Sequence, residues 1–200
     1  ASVDGVATVV PVIEGFGQIN GSDGEGIGGG GPPTTATNWI GESPVNPWAL
    51  AEGRPPRDVA PGEPFEVVID RASAEAGDLA VGDRTIVEMP QPVAVTVVGF
   101  ATFGGADSLG PTTFAAFTTA SVETLLDTSD EVSSFRLSAD SGVGQSELRE
   151  AVAGALPAGA EALTGAELTD DMVAGIESDF LGLFRTIMVV FAVIALVVAA

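Results

Sequence analysis

Residues 65–103 read FEVVIDRASAEAGDLAVGDRTIVEMPQPVAVTVVGFATF, and their pattern decides the fold class. Residues 66–69 form a short β-branched run of strand length, and Asp70 is placed to cap whatever follows. Residues 71–76 are one and a half turns of good helix former, with Gly77 as the C-terminal stop. The Val81-Gly82-Asp83 turn launches a strand over 85–88, which Pro90 and Pro92 end. Residues 93–103 return as a long strand in which Val93, Val95 and Val97 share one face. Strand, short helix, turn, strand, turn, strand makes a compact, mostly β module with no evident chemistry in it.

The same stretch, followed by GADSLG at 105–110, resembles the extracytoplasmic domain of FtsX/MacB-type ABC transporter permeases. There an EVVID strand, a small helix, a VGD turn and a TVVG strand follow one another at this spacing. Upstream, the stretch Leu50-Ala-Glu-Gly53-Arg54-Pro55 is similar to the L-x-x-G-R-x-P lead-in of that family. The Gly-Gly-Gly-Pro-Pro run at 29–33 is also frequent at this place. The likeness covers nearly the whole chain from Val3. It implies a permease subunit whose outer domain lies between its first and second membrane helices. Its partners would be a cytoplasmic ABC ATPase subunit and a second permease copy or homologous permease.

Composition narrows the chemistry. The chain carries 28 acidic residues against seven Arg and no Lys, a net charge of −21. Such a field repels phosphate backbones, so nucleic acid is not an expected partner. A solvated acidic surface is the plain reading, with a cation or a basic peptide as the functional one. The absence of His, Cys and Lys removes a Ser-His-Asp triad, thiol catalysis, Cys/His zinc sites and disulfides. No catalytic residue, cofactor site or metal site is expected, and the protein reads as a non-enzyme.

Along the chain, the apolar residues Val3, Val6, Val9, Val10, Val12 and Ile13 are interrupted by Pro11. A turn or short helix and then a strand around 12–19 is expected. The Gly-rich residues 20–33 read as a hairpin tip; Asp23 and Glu25 carry the wrong charge for phosphate and lack calcium-loop spacing. A strand follows at 34–40. In the Pro-rich stretch 42–57, Trp48 either forms a peptide groove with Trp39 or is buried against the β module. Asp107 and Ser108 lie in a loop at 104–111, where a turn is sounder than a nucleophile without a base. A strand at 112–117 and a capped helix at 121–126 come next.

From Val132 the pattern changes to βαβ, with a strand at 134–138, a helix at 145–156 and a second strand at 160–163. In the helix, Leu148, Val152 and Leu156 share a face, and Pro157 ends it. The expected fold class is therefore α+β: a discontinuous α/β subdomain (residues 1–54 and 128–164) with an inserted mostly-β subdomain (55–127).

Thr164 and Glu167 form a capping box that starts a stalk helix over 165–185. Leu168, Met172, Ile176, Phe180 and Phe184 fall four apart, opposite Asp170, Asp171, Glu177 and Asp179. Residues 187–200 are entirely apolar. A span needs about 20 such residues, so residues 186–200 are expected to begin a transmembrane helix that continues further. The first residues of the parent protein are likewise expected to lie upstream of Ala1, which no cleavage signal precedes. With Arg185 as the sole nearby cation, the domain is expected on the extracytoplasmic side of the cell membrane. The rival expectation is a membrane-anchored binding or adhesion domain without transport.

Overall fold

A computed structural model describes residues 3–28, 34–109, 112–128 and 131–168. The fold is α+β. In chain order it comprises β1 (Val6–Val12), β2 (Glu14–Phe16), β3 (Gln18–Ile19), β4 (Thr34–Asn38), β5 (Trp48–Gly53), β6 (Phe65–Asp70) and α1 (Arg71–Ala76). It continues with β7 (Arg84–Glu88), β8 (Pro92–Phe103), β9 (Thr113–Phe117), α2 (Thr119–Leu126), β10 (Ser134–Ala139) and α3 (Gln145–Ala153).

Eight strands form a mixed sheet in the order β2-β4-β9-β6-β8-β7-β3, with β5 also on β8. The β4–β9 and β6–β8 pairs are parallel and the rest antiparallel. The twelve-residue β8 organises it. Its first half pairs with β7 as far as Thr96, and β5 takes over that edge from Gly99. Val93, Val95 and Val97 do share a face, in one core cluster with Val67, Ile69, Phe117 and Val122. At Val98 the phase changes, so Phe100 stays with the first cluster while Val98 and Ala101 join Val68, Phe114 and Ala116 in a second. The register shift opposite Val67 and Val68 is the bulge that makes this change. Apolar clusters on both faces explain why β6 and β9 read as runs rather than alternations.

Chain contacts divide the molecule into two units, Thr8–Ser138 and a second made of Ala1–Ala7 with Ala139–Ala200. The eight-stranded sheet lies in the first. The subdomain border expected at residue 55 falls inside that sheet, because β4 lies beside β9 and β3 beside β7. In the second unit the Asp140 N–H donates to Gly5 C=O, and Leu148 and Val152 are the buried face of α3.

Two local expectations fail. Residues 6–12 are a strand despite Pro11, because β1 pairs with β10 alone and a proline is tolerated on a strand's free side. Residues 160–163 are not a strand: Ala160 N–H closes a turn onto Pro157 C=O through Gly159, and no strand among the described residues pairs with them. The capping box is present in full. Thr164 N–H donates to Glu167 Oε2 (2.7 Å), Glu167 N–H donates to Thr164 Oγ1 (3.2 Å), and residues 165–168 are helical. The remainder of the expected stalk, and the expected span at 186–200, lie outside the described residues.

Candidate functional site

The end of β4 builds an open concavity. Asn38 is buried and its amide is fully engaged. Its Oδ1 accepts from Ile13 N–H (2.9 Å), while Nδ2 donates to Pro11 C=O (3.0 Å) and Thr119 Oγ1 (3.4 Å). One side chain thereby fixes β1, β4 and the start of α2 against each other. Just beyond it, Trp39 N–H donates to Phe117 C=O (2.7 Å) and the chain leaves the sheet. The result is an open apolar groove of about 460 Å³ lined by Val10, Pro11, Asn38, Trp39, Ile40, Gly41, Pro55 and Thr119.

Both tryptophans pack against the second core cluster, and of the two it is Trp39 that also faces the groove. Trp48 stacks on Phe114 (centroids 3.9 Å apart) and meets Phe103 edge-on (5.2 Å), as part of the second core cluster. Trp48 belongs to a strand that the prolines around it disguised. Asn46 Oδ1 accepts the Trp48 N–H at the start of that strand, and β8 supplies the ladder.

The lead-in motif has a structural meaning. Gly53 has φ +75, and a Cβ there would lie 2.2 Å from Val98 C=O; across the ladder, a Cβ on Gly99 would lie 2.8 Å from the carbonyls of Glu52 and Arg54. These two glycines let the backbones touch where β5 ends on β8. The chain then delivers Arg54 to Glu66 at the head of β6, where both guanidinium NH groups bond the carboxylate. Arg57 N–H adds a third donor (2.9 Å). Hydrogen bonding from Arg54, above all, holds the Glu66 carboxyl below its usual range, partly opposed by burial.

Asp70, at the other end of β6, is fully buried. Its Oδ2 accepts from Ser73 N–H (2.9 Å), and its Oδ1 accepts from Ser73 Oγ–H (2.6 Å) and Phe114 N–H (2.8 Å). It thus caps α1 and takes the place of a ladder partner for β9. Burial pushes its pKa up, and those hydrogen bonds work the other way.

No family model matches the chain, and no curated protein matches it.

The remaining candidates resolve as turns. Asp23 Oδ1 accepts from Glu25 N–H (3.0 Å) in a tight loop, and the Gly-Gly-Gly-Pro-Pro run lies outside the described residues. Asp107 pairs with Arg71 (3.5 Å), and its carbonyl accepts from Ala72 N–H (3.1 Å). Among the described residues no group of three or more acidic side chains is arranged to hold a metal ion. No helix among them is long and apolar enough to cross a membrane. What the groove offers is mostly apolar contact area, with the Asn38 amide already committed to its own fold. Its key residue, Asn38, gave no signal in the sequence, since its partners lie 25 to 81 positions away.

Proposed function

We propose that this chain is the extracytoplasmic domain of an ABC transporter permease subunit, one that couples cytoplasmic ATP hydrolysis to export, extraction or signalling outside the membrane. The observation that carries the reading is the closed capping box of Thr164 and Glu167. It starts a helix immediately ahead of the four-residue apolar spacing and the apolar run of the sequence. A continuous helix over 165–200 would reach about 54 Å at 1.5 Å per residue, enough for a lever between domain and bilayer. The Arg54–Glu66 pair adds support by joining the lead-in motif to the EVVID strand.

The test is made in the full-length membrane protein with its ATPase. Ile176→Pro removes a helix hydrogen bond and should abolish the outside activity while ATP hydrolysis and membrane insertion persist. Ile176→Leu, which keeps the helix, should leave all three intact. An Ile176→Pro protein that retains the outside activity overturns the lever. A full-length protein that purifies with no ATPase overturns the permease reading itself. The Trp39 groove favours the second reading, an anchored binding or adhesion domain, in which ligand capture would be independent of ATP.

A further inference from the structure

We infer that the folded state of this protein is conditioned by salt, holding together fully only where cations are concentrated. The net charge of −21 is the starting point, and the placement of the acids makes it specific. A helix C-terminus carries partial negative charge and favours a cation. Each of α1, α2 and α3 lacks a basic residue in its last turn. Each carries acid there instead: Glu75, with Asp78 just beyond, on α1; Glu123 and the capping Asp127 on α2; Glu150 on α3.

The cations of the chain are mostly spent elsewhere. Of the six Arg among the described residues, four form ion pairs, with Glu66, Asp107, Glu14 and Glu167. Asp4, Glu25, Glu42, Glu63 and Asp83 add further exposed carboxylates. Folding brings these charges closer than they stand in the open chain, and only mobile cations can offset that repulsion. The screening length falls from about 10 Å at 0.1 M to about 3 Å at 1 M salt, so stabilisation should keep growing well above physiological ionic strength. The inference does not depend on the permease reading.

Thermal unfolding of the full chain, followed by circular dichroism between 0.05 and 1 M KCl, tests it. The melting temperature should climb by about 10 °C or more across that range. The triple variant Glu75→Gln, Asp127→Asn, Glu150→Gln should melt above the parent at 0.05 M and show a shallower climb. Asn suits the left-handed backbone of position 127 (φ 55), so the variant keeps its turn. A parent melting temperature that is flat from 0.05 to 1 M overturns the inference. So does a variant whose climb matches the parent's, because the salt would then act by exclusion from the surface rather than on these charges. Sucrose as effective as KCl overturns it on the same ground.

Discussion

Glu66 and Asp70 stand at opposite ends of one strand and respond to pH with opposite sign. Glu66 is held below its usual range, so its contribution to stability is present above the unfolded value near 4.5 and is lost as pH falls through its lower folded value. Asp70 is pushed up, so its share is fullest below the unfolded value near 3.8 and is lost as pH rises through its folded value. Glu66→Gln should therefore lower stability by about 1 kcal/mol at pH 7, a modest figure because Arg54 is part-exposed, and variant and parent should converge in urea titrations as pH falls through the lowered folded value of Glu66. Asp70→Ala strands the Phe114 N–H and uncaps α1, for a loss of about 3 kcal/mol. With Asp70→Asn, the deficit against the parent should be largest in acid and shrink as pH rises. A deficit that instead grows with pH would contradict the assigned direction.

Turns and caps decide the behaviour of whole elements. Between α1 and β7, Gly82 has φ +104, and its N–H donates to Val97 C=O (2.8 Å). A Cβ there would meet nothing within 4 Å, so the penalty for any side chain is conformational alone. Gly82→Val should destabilise by about 1–3 kcal/mol in thermal melts, and Gly82→Asn by less, because Asn adopts positive φ more readily. Equal melts for the two would show that the turn relaxes to ordinary backbone. At the other cap, Thr164→Ala should speed hydrogen exchange at the first amides of the helix beginning at residue 165. Hydrogen bonds from Thr164 hold the Glu167 carboxyl low, so the parent should lose the same protection as pH falls through its folded value, below 4.5.

On the scale of the molecule, the described residues form an open groove and a helix start. The purified protein alone should show no ATP turnover, a result checked by phosphate release with contaminating ATPases excluded; turnover that survives that control would refute the coupling role. Truncating the groove should act differently. Trp39→Ala removes lining and some packing on the second cluster, so it should lower stability by about 2 kcal/mol while leaving the sheet's circular dichroism intact.

Local pattern was enough to place the elements whose causes are local. β6 follows from a β-branched run, α1 from Asp70 and its short helix-forming segment, β8 from alternating valines, and the helix start at 165 from the Thr164/Glu167 box. The chain alone also determined the acidity and the want of His, Cys and Lys, which bound the chemistry before any fold is known. Pairing was beyond it. β1 tolerates Pro11 only because its free side needs no donor, and β5 is a strand because β8 runs on past β7. Gly77 reads as the stop of α1 and is its C-cap, but with φ −94, the left-handed residue being Asp78 after it; what the sequence did not show is the close approach at Gly77, where a Cβ would lie 2.5 Å from Ile27 Cδ1 and 3.1 Å from Gly21 Cα. Asn38, Arg54 with Glu66, and Asp70 with Phe114 are likewise joined across gaps of 12 to 81 residues. Such partners meet only when the sheet closes, because a ladder constrains which strands touch while a residue's own neighbours constrain only its local backbone.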